Sequence, residues 1–315
     1  MDKLHTWLSS TPYKDYALTI ASADASFRQY FRLTKGDESV LLMDSSLEKN
    51  SLKPFLDVTK RLLNAGVNAP HIYEQNLDEG FLILEDFGNT HYLNVLNQEN
   101  YKELYTNAID EILKMQNADA SALPLYDKAF LHFEMDLMQE WYLQKKLGHT
   151  LSQTQQTVLS EALNAISEIV LSQPQDVFVH RDYHSRNIMI QNDGNIGVID
   201  YQDAMCGAIT YDLVSLLKDC YIAFKREEVE ELVLLFRDKK ELNPSDADFI
   251  KWFDFMGLQR HIKVLGIFSR LHLRDGKEGY LKDIPLTLKY TLEAAHRYEE
   301  TKELAKLLEE LTSKQ

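Results

Sequence analysis

One short stretch concentrates residues that could do chemistry: His180-Arg181-Asp182-Tyr183-His184-Ser185-Arg186-Asn187. Thirteen residues after Asn187 comes Asp200, in Val198-Ile199-Asp200-Tyr201. Asn187 offers an amide oxygen and Asp200 a carboxylate, both hard ligands suited to Mg²⁺. Asp182, at the other end of the loop, can orient an acceptor hydroxyl and take its proton. That combination suits phosphoryl transfer. The transferring group spreads negative charge over its oxygens, so a site must supply positive charge and alignment. His180 and His184 are read as fixing the loop backbone. They lack the helical context of a zinc site.

The loop satisfies all four fixed positions of the pattern H-R-D-x-x-x-x-N. Four fixed positions arise by chance in a chain of this length about once in 500 sequences. Context sharpens the signal: the apolar strand Val177-Phe178-Val179 precedes the loop and a hairpin follows it. A polar turn with capped Asp and Asn is the bland alternative.

The elements that must position these residues differ along the chain. In residues 1–90, strands are expected at 16–21, 27–33, 39–43 and 81–84, with turns at 22–26 and 35–38. Leu52, Phe55, Leu56, Leu62 and Leu63 recur at helical spacing, and Asn64-Ala65-Gly66 closes that helix. Past about residue 100 the apolar stripes are helical, at 101–112 and 158–170, with one long terminal helix over 288–311. Ile188-Met189-Ile190, the turn 192–195 and 196–199 form the hairpin that carries Asp200. The expectation is an α+β chain: a small antiparallel-sheet lobe over 1–88 that binds nucleotide, and a mostly helical lobe over 89–315 with the catalytic loop and acceptor-binding helices.

Composition narrows the partners. The chain has 315 residues, 34 Lys and Arg against 49 Asp and Glu, and a net charge of −15. That balance argues against nucleic acid, which needs a basic face. No apolar run exceeds five residues and the start has no apolar core, so neither a membrane span nor a signal peptide is expected. Two cysteines, Cys206 and Cys220, make no disulfide framework and fit a reducing cytoplasm. No obligate protein partner is evident.

The loop and its surroundings resemble the aminoglycoside phosphotransferase and choline kinase superfamily, protein-kinase-like enzymes that act on small molecules. The resemblance runs from about residue 20 to 290. It is carried by Ala25-Ser26-Phe27-Arg28-Gln29-Tyr30-Phe31-Arg32, Leu42-Met43-Asp44, the H-R-D-Y-H-S-R-N loop and Ile199-Asp200-Tyr201-Gln202-Asp203-Ala204. Gly257-Leu258-Gln259-Arg260-His261-Ile262-Lys263-Val264-Leu265-Gly266 and Arg274-Asp275-Gly276-Lys277 point to one branch. That branch is the bacterial anomeric kinases for N-acetylmuramate and N-acetylglucosamine used in cell-wall recycling. The resemblance implies a two-lobed protein-kinase-like fold with ATP in a cleft near the Glu85–Gly88 crossover. It implies Asp182 as catalytic base, Asn187 and Asp200 as magnesium ligands, and Asp212 as a structural brace of the loop.

The pattern also departs from protein kinases. The turn at 22–26 has no glycine, and the third strand ends Leu41-Leu42-Met43-Asp44, with an acid near where a phosphate-binding Lys belongs. Arg28 and Arg32, four apart on one strand, face the same side. One of them, Arg28 before Arg32, is expected to contact the phosphates, unless both lie on a solvated face. Only eleven residues separate Asp200 from Asp212, too few for a segment that docks a protein substrate. For the acceptor, Arg260, His261 and Lys263 form a basic helix in an acidic chain, and Trp141 offers an aromatic face to a sugar ring. Arg or Lys suits an acyl oxygen or a lactyl carboxylate. The alternatives are a solvated helix face for the cations and core positions for the aromatics. Other small-molecule kinases (aminoglycoside, choline, homoserine) and a non-catalytic scaffold complete the competing readings.

Overall fold

The computed structural model describes residues 2–22, 28–191 and 194–313. The turn expected over 22–26, apart from Ser22, lies outside them, as do Phe27 and Asn192-Asp193. The first elements are α1 (Asp2–Leu8), β1 (Ala17–Ser22), β2 (Gln29–Lys35), β3 (Glu38–Asp44), α2 (Leu52–Asn64), β4 (Ile72–Asn76) and β5 (Phe81–Glu85). Then come α3 (Tyr92–Val95), α4 (Tyr101–Met115), α5 (Lys128–Leu137), α6 (Gln153–Ser172), β6 (Val177–Val179), β7 (Ile188–Ile190), β8 (Ile196–Val198) and β9 (Met205–Gly207). The chain closes with α7 (Tyr211–Leu217), α8 (Arg226–Lys239), α9 (Asp246–Leu273), α10 (Ile284–Arg297) and α11 (Lys302–Thr312).

Two compact units result: Met1–Val95 with Arg186–Ala204, and Leu96–Ser185 with Met205–Gln315. The division falls inside the H-R-D-Y-H-S-R-N loop, after Ser185.

The first unit is a five-stranded antiparallel sheet in the order β1-β2-β3-β5-β4. Period-two alternation turns Phe31, Leu33, Val40, Leu42, Phe81 and Ile83 to one face, where Leu4 and Leu8 of α1 complete a core. β5 is buried along Phe81–Leu84, which explains its unbroken apolar run. α2 buries Leu52, Phe55, Val58, Thr59 and Leu62, and the chain leaves it through Gly66 at φ +77°. That left-handed step is one glycine takes without strain. β4 was not expected from the sequence. As an edge strand of Ile-Tyr-Glu-Gln-Asn it lacks an apolar run.

The β7–β8 hairpin also packs in this unit, with Ile188 opposite Val198. Asn68 secures it: its amide donates to Gln191 Oε1 (2.6 Å) and to the Ile196 carbonyl (2.9 Å), and its own carbonyl accepts from Val198 N–H. A Cβ on Gly197 would come within 2.3 Å of the Phe87 ring, so glycine permits that approach. These bonds place 186–204 with the sheet unit, whereas a boundary drawn at residue 88 assigns the hairpin to the helical lobe.

The second unit is helical around α9. Through its middle, from Phe253 to Gly266, every residue is buried, including Arg260, His261 and Lys263. α5 passes directly into a wider π-type turn over Met138–Lys146. The expected single terminal helix is instead two. The chain is extended at Tyr298 (φ −123°, ψ 139°), whose hydroxyl donates to Asp254 at 2.8 Å. Thr301, fully buried, donates to the Ala295 carbonyl at 2.9 Å and starts the reversal into α11. The leucine period carries across the break, so periodicity alone does not reveal it.

Gly266 fixes how closely α9 meets the end of α5. A Cβ there would lie 2.3 Å from the carbonyl carbon of Leu137 and 2.5 Å from its oxygen. Backbone cannot swing aside as a side chain can. Gly266→Ala is therefore expected to cost about 1–3 kcal/mol despite the better helix propensity of alanine, read as a lower denaturation midpoint. A midpoint equal to or above wild type contradicts this packing.

Candidate active site

The catalytic-loop segment in the helical unit is tied down at each end. Asp212 of α7, 1% exposed, accepts from the N–H groups of His180 (2.8 Å) and Arg181 (3.0 Å). Burial pushes its carboxyl up, opposed by His180 and those two amides. Asp219 accepts from Ser185 N–H at 2.9 Å and from the Ser185 hydroxyl. Tyr183, fully buried, donates to the Ala108 carbonyl at 3.1 Å. His180 Nδ1 lies 3.3 Å from the Asp182 amide, and His184 N–H donates to the Asp182 carbonyl. The His180 ring thus holds loop backbone, whereas the His184 bond is made by its main chain and its ring packs edge-on against Tyr221 at 5.3 Å.

Arg181 sits at φ +78°, a strained setting for a side-chain-bearing residue. Its surroundings fix it there. Its carbonyl accepts from Arg260 Nη1 at 2.8 Å, and its guanidinium pairs with Glu134 at 2.6 Å, facing the rings of Tyr126 and Phe130. Lys263 Nζ joins Glu134 at 3.0 Å and donates to the Tyr211 hydroxyl at 3.0 Å. Gln259 donates to Glu134 at 3.1 Å, and Tyr126 donates to it as well. Arg260 Nη1 lies 3.7 Å from Asp182 Oδ1.

Three cations (Arg181, Arg260, Lys263) and three carboxylates (Glu134, Asp182, Asp212) therefore share one region. Burial opposes ionisation of Glu134, but Lys263 and Arg181 hold it below the usual carboxylate range. Burial likewise opposes the charge on Lys263, and Glu134 restores it, raising its pKa. Asp182 keeps 44% of its side-chain surface open. Desolvation pushes its pKa up, but Lys263, Arg260, His184 and Arg181 bring it well below the ordinary range.

This geometry corrects the placement of the basic helix. Arg260 and Lys263 are neither on a solvated face nor open to a sugar; both are buried and committed to the loop and Glu134. His261 is buried and neutral: burial lowers its pKa to about 3, and Nε2 lies 2.9 Å from the Lys218 carbonyl. Trp141, in the π-type turn, has Lys145 Nζ 3.5 Å from its ring centre, so that face is taken. Glu134 and Asp219 were not singled out from sequence. The available signal for Glu134 was an acid between Leu131 and Met135 on a buried stripe.

The sheet unit holds the remaining candidates. The hairpin register brings its two ends together, with Ile199 N–H donating to the Asn187 carbonyl at 3.2 Å. Asn187 Nδ2 donates to Asp200 Oδ2 at 3.1 Å and Gln202 to Oδ1 at 3.0 Å. Asp200 is exposed at φ +64°, while the next residue, Tyr201, is buried, stacked on Phe55 and hydrogen-bonded to Thr59 at 2.9 Å. The tyrosine anchors the turn to α2 and leaves the carboxylate outward. Among the described residues no group of three His, Cys, Asp or Glu could hold a metal. A carboxylate and an amide oxygen fit Mg²⁺, which keeps waters and takes further oxygens from phosphates.

Arg28 and Arg32 diverge. Arg28, just before β2, is 6% exposed, with its guanidinium carbon 5.7 Å from the Phe55 ring centre. Arg32, the second choice for a phosphate contact, is engaged within the sheet unit. Its guanidinium clasps Asp86 (2.5 and 2.9 Å), the Gly88 carbonyl (3.1 Å) and Asn89 (2.8 Å). It braces the crossover instead. Glu85, at the end of β5, accepts from His71 N–H at 3.2 Å.

The family's sequence profile, the phosphotransferase enzyme family, matches residues 17–243. The chain belongs to that family. It is 41% identical to an N-acetylmuramate/N-acetylglucosamine kinase of Neisseria meningitidis serogroup B, over 98% of this chain and 95% of the relative. A Pseudomonas aeruginosa protein of the same name is 41% identical over 92% of this chain and 87% of its own length. A solved choline/ethanolamine kinase family protein from Mesorhizobium loti shares the fold at a TM-score of 0.68 and 13% identity, covering 98% of each chain. The protein is a phosphotransferase of the two-lobed kinase fold, acting on a small molecule. No helix among the described residues is long and apolar enough to cross a membrane.

The charge cluster has a measurable consequence at Asp182. A carboxyl whose folded pKa is depressed adds stability above its unfolded value, about 3.9, and loses it as pH falls toward the folded one. Carboxyl ¹³C NMR is expected to show Asp182 still ionised at about pH 3.9, where an ordinary Asp is half protonated. Lys263→Met should raise its midpoint. An ordinary wild-type midpoint, or no upward shift in the variant, contradicts the electrostatic account.

Proposed function

We propose that the chain uses ATP and magnesium to phosphorylate the anomeric hydroxyl of N-acetylmuramate and N-acetylglucosamine, giving sugar 1-phosphates for cell-wall recycling in the cytoplasm. The observation that carries this reading is the partly open Asp182 carboxylate, kept ionised by cations of the G-L-Q-R-H-I-K helix. The two relatives at 41% identity bear the names of kinases for these two sugars.

Asp182 accepts the acceptor hydroxyl in a hydrogen bond and takes its proton as the new bond forms from that oxygen to the γ-phosphorus and the bond to the β-phosphate oxygen breaks, releasing ADP. A carboxylate of depressed pKa is a weak base. An anomeric hydroxyl is more acidic than an ordinary alcohol, which lightens that demand. The cluster's role is to keep Asp182 anionic and aimed. Asn187 and Asp200 are the residues that would hold magnesium. The ion would neutralise charge on the phosphate oxygens. The third strand carries no Lys, so Arg28 is the proposed phosphate contact, with Glu85 beside the nucleotide at the crossover.

The test is product identity. With magnesium and ATP the protein should convert both sugars to 1-phosphates and leave kanamycin-type amines untouched. Phosphorus NMR should show a phosphate coupled to the anomeric proton. A 6-phosphate signal, or turnover only with aminoglycosides or choline, refutes the substrate assignment.

A further inference from the structure

The helical unit contains a cavity of about 350 Å³ walled by the start of α8, the middle of α9 and by α10. Its charge runs against that of the chain. Five of its lining side chains are Lys or Arg and two are Asp or Glu, in a protein with 49 acids and 34 bases. Some of those cations are already neutralised. Arg226 makes a two-pronged pair with Asp254 (2.5 and 2.8 Å), and Lys289 lies 3.6 Å from Glu293. Arg297, at the rim, reaches Glu230 at 3.4 Å.

Lys218 is different. The residue is 7% exposed and caps the C-terminal end of α7. Its ammonium has no hydrogen bond or ion pair among the described residues. Its close partner is the face of Tyr290, 4.4 Å away. Burial, then Arg226, lowers its pKa to about 8, with Asp254 and Glu293 opposing and Arg297 adding to the fall. The floor is the neutral His261, stacked on Tyr290 at 5.1 Å and tied to the Lys218 carbonyl. An ammonium buried this far without a carboxylate is costly, and an oxyanion entering the cavity would repay that cost. The aromatic walls, Phe224, Phe253 and Tyr290, suit the apolar face of a small ring.

We infer that this cavity binds the oxyanion group of a small organic ligand, a carboxylate or phosphate, with Lys218 as its ionic anchor. Two sources supply that chemistry: the carboxylate of an acidic acceptor sugar, or a separate phosphate-bearing molecule. The first rests on the proposed function; the second does not. The site is adjacent in sequence to the machinery on both sides. Lys218 precedes Asp219, which holds Ser185, and His261 follows Arg260, which reaches Asp182.

Calorimetric titration of the whole chain without nucleotide separates the sources, using N-acetylmuramate, N-acetylglucosamine and inorganic phosphate as probes. If the acceptor supplies the anion, Lys218→Met weakens N-acetylmuramate binding about tenfold or more and leaves N-acetylglucosamine unchanged, while Lys218→Arg recovers most of the loss. If a separate molecule supplies it, Lys218→Met abolishes phosphate binding and leaves both sugars as in wild type. Should Lys218→Met not fold, NMR of the lysine ammonium groups in wild type, with Lys218 assigned through Lys218→Arg, gives the same answer: its signal moves with N-acetylmuramate or with phosphate. Wild-type affinities of Lys218→Met for both anions, or no movement of the Lys218 signal with either, overturns the proposal.

Discussion

The constraint on which the helical unit depends is a set of opposed charges, most of them buried. Arg181, Arg260 and Lys263 gather with Glu134, Asp212 and the partly open Asp182, and Glu134, Arg260 and Lys263 could not be buried alone at acceptable cost. Burial alone would neutralise Glu134 and Lys263; their proximity keeps both ionised. The set also explains why α9 is buried through its middle. It carries Gln259, Arg260 and Lys263 to the loop and Glu134, and Gly266 allows the backbone contact with Leu137. Removing one member leaves an opposite charge buried without its partner, so the cluster acts as a unit.

The sheet unit solves a different problem, that of bringing an amide and a carboxylate to one point. It does so by hairpin register rather than by ion pairing. Pairing Ile188 with Val198 brings Asn187 and Asp200 to the same end. Buried Tyr201 then holds the turn while the carboxylate faces outward. Arg32 and Asp86 perform the corresponding service at the crossover, where Gly88 takes φ +84°.

Much of this was legible in the residues. The H-R-D-Y-H-S-R-N spacing and the acid at position 200 marked the chemistry, and strand alternation with one amphipathic helix marked the small sheet. What was not legible has identifiable causes. Arg28 and Arg32 share a spacing, but partners decide their fates, and Asp86 lies 54 residues from Arg32. The basic α9 triplet looked like a surface or a sugar site because nothing near it in sequence reveals Glu134, more than 120 residues earlier. The α10–α11 break is set by Tyr298 and Thr301 finding tertiary partners, which a leucine period does not encode. Local pattern predicts elements; buried charge is satisfied at long range.

The central claim is that the cluster exists to hold an anion at the acceptor hydroxyl, and that Asp182 is that anion. The direct measurement is the turnover number of Asp182→Asn, with circular dichroism and nucleotide affinity confirming an intact fold. The amide can still hydrogen-bond but is a far poorer proton acceptor, so turnover should fall by about 10² to 10⁴ with nucleotide binding retained. Turnover within about threefold of wild type would contradict the account, because a residue dispensable to that degree is not the base.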